Sequence, residues 1–451
     1  MPHTLITARW LVTPKAESTA ATVEVLANGG IAIDDAGIIV AVGPTDELAA
    51  NVPFAQRLSL PDHILAPGLV NAHCHSAMTL LRGAADDLPL DRWLKERIWL
   101  MEAELLDEQF VSVGTRLAAL EMLQGGTTTC ADMYFYSQAA AEAYLSVGQR
   151  AVLALPVIDF PTRYAADVDG YISLGLAARD RFVDEPLLSF CLAPHAPYTA
   201  SDNTFQRVLS FAEELGIGIH THLHETAGEV SGAVAQSGER PVARLARLGV
   251  LGPGFFAAHC VHFSSADIDA LARHGASAVH CPSSNLKLAS GIAPVAALLA
   301  AGVNVGLGTD GAASNNRLDM FEEMRLAALI GKVARGDASA VNAAQAFTMA
   351  TLGGARAIGL GEHVGSIEVG KSADLIAVDL SSPAMTPIFD PVSHLVYAAS
   401  RADVTDVWVG GKRRVADGKL TTAASSSAAA AMAELAPQIS AIAERVGALR
   451  R

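Results

Sequence analysis

The fold is decided by one stretch of the sequence, ILAPGLVNAHCH at residues 64–75, in which an apolar run of strand character ends in two histidines. Residues two apart in an extended segment point to the same side. The imidazoles of His73 and His75 can therefore reach one metal ion. By itself a His-x-His pair is more often incidental than a metal site, so the rest of the chain has to decide.

Seven further short apolar runs follow, and longer patterns of helical spacing separate them. With residues 64–70, the predicted strands are 127–132, 151–158, 187–192, 217–221, 255–258, 276–279 and 303–307. Alternating strands and helices indicate βαβ units. Eight of them predict an α/β fold, a (β/α)₈ TIM-like barrel whose active site lies at the carboxyl ends of the strands. A doubly wound open sheet fits poorly, because no Gly-x-Gly-x-x-Gly follows the first strand.

Both ends of the chain have a different pattern, of short strands separated by turns. The predicted strands are 23–26, 30–33 and 38–42 near one end, and 373–378 and 404–409 near the other. Asn28-Gly29 and residues 34–37 between them are hairpin signals. We expect a small β-sandwich domain made from residues 1–63 and 366–420, around a barrel of residues 64–365. Residues 421–451 are predicted to be a C-terminal helical tail that lies on the surface and has no chemistry.

The composition of the chain narrows the range of possible functions. The chain has 451 residues, 51% of them apolar and 18% charged, which predicts a sizeable core. A net charge of −15 argues against nucleic acid as a partner, since phosphate binding needs clustered cations. No apolar run is long enough to span a membrane, and the first residues do not resemble a signal peptide. The five scattered cysteines are typical of a reducing compartment, so we expect a cytoplasmic protein with a small-molecule ligand.

Histidines and carboxylates follow several other predicted strands at their carboxyl ends. They are His195 after the fourth strand, His220, His222, His224 and Glu225 after the fifth, His259 after the sixth, and Asp310 after the eighth. A barrel brings its strand ends together around one pocket. Any one of these histidines could be a hydrogen-bonded core residue. Their number at separate strand ends favours a metal site.

The motifs that contain these residues resemble the amidohydrolase superfamily, in its branch of purine and pterin deaminases and triazine hydrolases. They are PGLVNAHCH at 67–75, HLHET at 222–226, AHC at 258–260 and LGTDG at 307–311. Four more are most similar to the family of 5′-methylthioadenosine/S-adenosylhomocysteine deaminases. These are MTLLRG at 78–83, PHAPY at 194–198, PSSNLKL at 282–288 and GAASNN at 311–316. The resemblance extends from the first strands to about Gly418.

The resemblance implies one divalent metal ion per chain. The ligands that it implies are His73, His75, His222 and Asp310. Such a set leaves a position for water, as catalytic zinc requires; we expect Zn²⁺, with Fe²⁺ or Mn²⁺ as alternatives. Some superfamily members bridge two metals through a carboxylated lysine of the fourth strand. No lysine occurs between Lys95 and Lys287, so the predicted site is mononuclear.

The resemblance also implies the catalytic roles. Glu225 would protonate the substrate ring, Asp310 would be the general base, and His259 would hold the attacking water. His195 would contact the substrate. We expect His220 and His224 to be neighbours that pack or support the site, not ligands, because the family motif is anchored on the spacing from His222 to Glu225.

The substrate-binding residues are expected outside the strand ends. Without the resemblance, Trp93 and Glu102 would be a packing aromatic and a surface carboxylate. With it, they lie in a region that covers the substrate, where Glu102 accepts both ribose hydroxyls. The third strand region, residues 151–160, contains no Lys or Arg, and Arg163 is the only basic residue near its end. This favours a methylthio group over a charged amino-acid tail, which Arg163 would bind only in part.

The expected function is hydrolytic deamination of the adenine ring of 5′-methylthioadenosine with release of ammonia, and S-adenosylhomocysteine and adenosine are the other candidate substrates. The protein would then be a hydrolase of C–N bonds in cyclic amidines. The main alternative is a guanine-type base deaminase or an s-triazine chlorohydrolase, which needs no ribose contact, so Glu102 discriminates. A barrel without catalysis would usually have lost ligands. Family members are often dimers or larger, so a homo-oligomer is also expected.

Overall fold

The computed structural model describes residues 3–15, 21–421 and 428–450. Its strands are β1 (His3–Pro14), β2 (Val23–Ile33), β3 (Ile39–Pro44), β4 (Phe54–Pro67), β5 (Leu69–Cys74), β6 (Thr127–Met133), β7 (Arg150–Val157), β8 (Leu188–Pro194), β9 (Gly218–Leu223), β10 (Phe255–His259), β11 (Ser277–His280), β12 (Asn304–Leu307), β13 (Leu375–Asp379), β14 (Val404–Val409), β15 (Lys412–Ala416) and β16 (Lys419–Leu420).

The α-helices are α1 (Thr45–Asn51), α2 (Leu90–Trp93), α3 (Trp99–Leu105), α4 (Glu108–Gln124), α5 (Ser137–Val147), α6 (Val168–Phe182), α7 (Asp202–Leu215), α8 (Ala227–Ser237), α9 (Pro241–Arg247), α10 (Ser265–His274), α11 (Pro282–Lys287), α12 (Val295–Ala300), α13 (Met320–Arg335), α14 (Ala343–Thr348), α15 (Gly354–Ala357), α16 (Pro391–Ser393) and α17 (Ala428–Leu449). Short 3-10 segments are Ser76–Leu81, Pro383–Met385 and Arg401–Asp403, and π segments are Leu94–Ile98, Met349–Gly353 and His394–Ala398.

The strands β5 to β12 form one parallel sheet in chain order, rolled into a nearly closed barrel. At the seam between β5 and β12, the N–H of Asp310 donates to the carbonyl of His73 at 3.0 Å. The predicted (β/α)₈ fold is therefore confirmed. Seven of the eight predicted strands agree with the observed bounds to within two residues.

The exception is the first predicted strand, residues 64–70, whose bounds are wrong. Residues up to Pro67 belong to β4, which pairs with β1 and β13 in the other sheet, and the barrel strand begins at Leu69. Gly68 lies between the two strands. A larger residue does not fit at this position, because its Cβ would lie 2.2 Å from the side chain of Thr128. Apolar periodicity could not reveal this break, since the residues on both sides of it are buried.

Segments from both ends of the chain form the second sheet, in the order β16-β15-β14-β13-β4-β1-β2-β3. The sheet is mixed, with β1 and β4 parallel and the other neighbours antiparallel. Its buried face includes Ile6, Ile31, Leu65 and Leu375. The small β domain expected from both termini is confirmed, although β4 begins before and ends after the predicted boundary at residue 63.

The predicted turn at Asn28-Gly29 is wrong, because β2 runs through it without a break. Asn28 still has a left-handed φ of 50°, the conformation that an Asn-Gly turn requires. The pairing with β1 skips one position there, from Ala8 opposite Gly29 to Trp10 opposite Ala27. The long neighbouring strand thus absorbs the irregular residue as a local distortion.

A buried ion pair joins the barrel to the second sheet. The Arg150 guanidinium of β7 donates to both carboxylate oxygens of Asp374, at 2.8 and 3.0 Å. Asp374 also accepts the N–H of Gly410 at 2.8 Å. Bidentate contacts of this kind are geometrically specific, so the pair sets how the sheet lies against the bottom of the barrel.

The C-terminal helix α17 was predicted to lie on the surface, but it packs closely against the barrel. It buries Ala431, Leu435, Ile442 and Val446. Arg445 donates to the carbonyl of Glu104, at the end of α3, at 2.9 Å. The Ala/Ser-rich residues 422–427 before it lie outside the described residues. Among the described helices, none has the length and apolarity needed to cross a membrane.

Candidate active site

A cavity of about 400 Å³ opens at the carboxyl ends of the barrel strands. Nearly all the residues predicted from the sequence line it. They are His75, Trp93, Glu102, Arg163, His195, His222, Glu225, His259 and Asp310. The remaining predicted residue, His73, is fully buried beneath the cavity floor. The structure thus brings together every residue that the sequence singled out for metal, catalysis and substrate.

Three imidazoles and one carboxylate meet at the cavity floor. Nε2 of His75 lies 3.2 Å from Oδ1 of Asp310 and 3.3 Å from Nε2 of His222. Nε2 of His73 lies 3.5 Å from the same Oδ1. Among the described residues this His73 nitrogen has no hydrogen-bond partner, although it is buried. Since a buried polar atom without a partner is costly, the donor set fits a divalent metal ion that all four residues would bind.

Backbone carbonyls orient two of these histidines. Nδ1 of His75 donates to the carbonyl of Met133 at 2.6 Å, and Nδ1 of His222 donates to the carbonyl of His195 at 2.7 Å. A neutral imidazole with its proton on Nδ1 keeps a lone pair on Nε2, facing the cluster. Burial also lowers the pKa of His222 well below its usual value, which favours this neutral form.

Asp310 follows β12 with a left-handed φ of 59°. Its Oδ1 accepts the N–H of Gly311 at 2.8 Å, and its Oδ2 accepts the hydroxyls of Ser284 and Ser314, both at 2.6 Å. Burial would raise the pKa of Asp310, but the neighbouring imidazoles hold it well below its usual range. This lowered pKa favours the ionised carboxylate. The sequence analysis assigned no role to Ser284 and Ser314, although both lie in the motifs at 282–288 and 311–316.

Glu225 and His259 lie beside the cluster. Oε2 of Glu225 is 3.7 Å from Nε2 of His259, and Oε1 is buried without a hydrogen-bond partner among the described residues. Burial raises the pKa of Glu225, which favours a neutral acid that can donate a proton. Nδ1 of His259 donates to Oδ1 of Asn285 at 2.8 Å. Asn285 is thus a second residue of the 282–288 motif whose role the sequence did not reveal.

The loop that carries Glu225 is held by Glu229. The two carboxylate oxygens of Glu229 accept the N–H groups of His224 and Glu225, each at 2.8 Å. His224 needs this support, because its φ of 53° is unfavourable for a residue other than glycine. The His224 ring turns away from the cluster, and its Nε2 accepts the N–H of Val242 at 3.3 Å. His224 therefore supports the loop, and Glu229 is a site residue that the sequence analysis missed.

His195 faces the cavity next to the cluster. Its ring centroid lies 4.7 Å from that of His222, and its Nδ1 is 3.0 Å from Oγ1 of Thr199. Burial lowers the pKa of His195 to about 3. A neutral His195 can form one hydrogen bond with a substrate. The backbone carbonyl of His195 already orients His222.

Glu102 and Trp93 lie on the helical segments that cover the cavity. Oε1 of Glu102 accepts the hydroxyl of Tyr134 at 2.7 Å. Burial raises the pKa of Glu102 to about 7. The indole nitrogen of Trp93 is buried without a partner among the described residues. The hydroxyl of Tyr134, which lies just after β6, thus positions Glu102.

The outer part of the cavity is apolar. Its lining there includes Pro156, Ile158, Phe160 and Pro161. Arg163 is the only Lys or Arg among the described lining residues. Its guanidinium already donates to two carbonyls at the end of α3, at 3.2 and 3.3 Å. The cavity thus has a polar floor and a largely uncharged outer wall.

Comparisons with known proteins identify the family of this chain. The model of the Amidohydrolase family matches residues 64–414. A 5-methylthioadenosine/S-adenosylhomocysteine deaminase of Teredinibacter turnerae is 48% identical over 399 residues, which are 88% of this chain and 90% of that protein. A 5′-deoxyadenosine deaminase of Methanopyrus kandleri is 42% identical over 400 residues, 88% of this chain and 92% of that protein.

A solved structure is similar over the whole length. The crystal structure of an adenosine deaminase from Xanthomonas campestris with bound zinc has a TM-score of 0.93 and 45% sequence identity, and the match covers 99% of both chains. This chain belongs to the amidohydrolase family. The resemblance found in its motifs is thereby confirmed.

Proposed function

We propose that this protein is a metal-dependent hydrolase of C–N bonds in cyclic amidines, and that it deaminates the adenine ring of 5′-methylthioadenosine. The observation that carries the proposal is one cavity that holds the His–Asp cluster and Glu225 at its floor and the Glu102–Tyr134 pair in its cover. Such a cavity suits a base at the floor and a ribose under the cover. Deaminase relatives at 42% and 48% identity support the same reaction.

Each step is assigned to a residue. A divalent metal at the cluster would lower the pKa of a water molecule toward neutrality. Asp310, which is ionised, takes the proton of the attacking water and later passes it to the departing ammonia. Glu225, kept as a neutral acid by burial, donates its proton to the ring nitrogen, and it regains a proton from the added hydroxyl when the carbonyl forms and ammonia leaves. His259, held by Asn285, orients the attacking water.

The proposed ligands are His73, His75, His222 and Asp310, and zinc is the proposed metal because the Xanthomonas campestris structure binds it. A ring nitrogen of His259 also lies within 4.8 Å of those of two ligand histidines. We leave His259 out of the set, because its Nδ1 is bound by Asn285 and its Nε2 faces Glu225.

We expect the fully active enzyme to contain one equivalent of metal per chain. The reason is that β8, like the rest of the chain between Lys95 and Lys287, has no lysine to bridge a second ion. Elemental analysis of purified protein checks the ratio, and Asp310→Asn, which removes a ligand, should bring it below one. Two tightly bound equivalents, both needed for activity, would contradict the mononuclear site.

We expect Glu102→Ala to lower kcat/KM for nucleosides about tenfold, mainly through KM. This is the lower end for a hydrogen bond to a charged group, because water can refill the open cavity. Deamination of a free base should barely change. In the wild type, KM for nucleosides should rise as the pH falls through about 7, where the carboxylate of Glu102 becomes protonated and loses acceptor capacity.

Steady-state kinetics on a nucleoside and on its free base measure this effect. Tyr134→Phe is the matched variant, since it removes only the hydroxyl that orients Glu102 and should cause a smaller change of the same kind. An equal effect of Glu102→Ala on nucleoside and base would remove Glu102 from the ribose site.

The proposed function itself is tested by an assay of ammonia release, with chloride release followed for the triazine. The substrates are adenosine, 5′-methylthioadenosine, S-adenosylhomocysteine, guanine and a chlorotriazine. We expect turnover of the adenine nucleosides and none of guanine or the triazine. Preferred release from guanine, or dechlorination of the triazine, would favour the alternative functions on this scaffold.

We also propose that the enzyme acts in the cytoplasm on a free nucleoside and not on nucleic acid. The support is the net charge of −15 and five cysteines that are all buried and unpaired. A homo-oligomer stays a prediction from the family.

A further inference from the structure

The support of His73 differs from that of the other two histidines in the cluster. Its Nδ1 lies 2.8 Å from Nε2 of a second imidazole, that of His220, and both side chains are fully buried. Nδ1 of His220 is 3.0 Å from the carbonyl oxygen of Phe256. The His220 ring also stacks on the Phe256 ring, with centroids 4.1 Å apart and planes inclined by 12°.

These two contacts determine where the protons lie. The carbonyl of Phe256 can only accept, so the proton of His220 is on Nδ1 and its Nε2 keeps a lone pair. The 2.8 Å contact therefore has to be donated by Nδ1 of His73. His73 is then left with a lone pair on Nε2, which is the buried atom without a partner at the cluster. The chain of contacts runs from the Phe256 carbonyl through two rings to the metal position.

We propose that His220 is a positioning residue that fixes the tautomer and the ring orientation of His73 for metal binding. The inference rests on the proposed metal site. It also separates His220 from His224, which has the same spacing from His222 in the sequence but supports the loop at Val242. Because His75 and His222 are held by backbone carbonyls, His220 is the support among the three that a substitution can remove.

The test compares two side chains of similar length and shape at this position. In His220→Gln, the amide oxygen can still accept the N–H of His73, whereas His220→Met offers no comparable acceptor. We expect His220→Met to raise the dissociation constant for Zn²⁺ by about ten- to hundredfold, the usual range for a lost outer-sphere partner. His220→Gln should keep most of the affinity.

The measurement is competition for Zn²⁺ between the metal-free protein and a chromogenic chelator. Thermal unfolding of the metal-free variants, which should be alike, separates metal binding from packing. The matched control is His280→Met, since His280 is also a buried histidine at the end of a barrel strand, but its Nδ1 has no hydrogen-bond partner among the described residues. It should bind Zn²⁺ as the wild type does. If His220→Met does not fold, His220→Phe replaces it, because a phenyl ring can keep the stacking on Phe256.

The outcomes are distinct. A wild type that binds zinc together with a His220→Met variant of equal affinity would overturn the role of His220 and leave the metal site intact. Gln and Met variants that are equally weak would overturn the tautomer argument, because an acceptor would not then be what matters. A wild type that binds no zinc would overturn the proposed metal site, and this inference with it.

Discussion

Replacing Glu225 by Gln should lower kcat by roughly 10²–10⁴-fold, the range for a lost general acid or base, while the protein keeps its metal. Glu225 is outside the four-residue cluster, and its Oε1 is buried without a partner among the described residues. Burial raises the pKa of Glu225 and so favours the protonated form. Gln has nearly the same shape but no acidic proton to give to the ring. Steady-state kinetics and metal analysis on the same preparation check both parts.

Asp310→Asn is the matched comparison for Glu225→Gln. The two carboxylate oxygens of Asp310 interact with the imidazoles of the cluster and with Ser284 and Ser314. We therefore expect it to lose both metal and rate. If Glu225→Gln also loses the metal, then Glu225 is a structural part of the metal site and its assignment as the proton donor is wrong.

5′-Methylthioadenosine should be preferred over S-adenosylhomocysteine by about ten- to hundredfold in kcat/KM. The two substrates share adenine, ribose and a sulfur, and they differ in a charged amino-acid tail. A charged hydrogen bond that is missing costs about 1.5–3 kcal/mol, which corresponds to this preference. The size of the preference therefore depends on which hydrogen-bond donors the outer wall of the cavity presents to the carboxylate of that tail.

The outer wall of the cavity presents few donors to a carboxylate. Pro156, Ile158, Phe160 and Pro161 are apolar and suit a methylthio group. Among the described residues that line the cavity, Arg163 is the only Lys or Arg. Its guanidinium already donates to the carbonyls at the end of α3. It would have to give up these contacts, or share them, to bind a tail. Arg163 thus compensates only in part.

Side-by-side deamination assays of the two substrates measure the preference. Arg163→Gln serves as the companion variant, since it should lower kcat/KM for S-adenosylhomocysteine further and leave 5′-methylthioadenosine nearly unchanged. Equal or better turnover of S-adenosylhomocysteine by the wild type would mean that the tail is bound well, and the preference would have to be withdrawn.

The sequence by itself determined the fold class and the chemical groups of the site. Periodic apolar runs specify strands and helices locally, and a barrel places every strand end at one rim. Residues at those ends, such as His75, His222 and Asp310, therefore meet in any barrel with this order of strands. The proposed ligand set and the proposed acid Glu225 came from the resemblance of contiguous motifs to the amidohydrolase superfamily, so no knowledge of long-range contacts was needed.

Boundaries between buried segments could not be read in the same way. The break at Gly68 lies between two apolar runs, and only the approach of Thr128 shows why a glycine is required there. Asn28 keeps a left-handed backbone within β2, because pairing with β1 outweighs the local preference for a turn. In both cases a distant segment decides what the local residues do.

Only the tertiary structure decided which atoms of the site residues face the proposed metal position. His73 and His220 are 147 residues apart, yet their 2.8 Å contact determines which nitrogen of His73 is free. Ser284, Asn285 and Tyr134 likewise act on Asp310, His259 and Glu102 from other barrel segments. A motif names a histidine or a carboxylate, but its tautomer, rotamer and ionisation depend on partners and burial. Those are set by packing between segments, which no local pattern encodes.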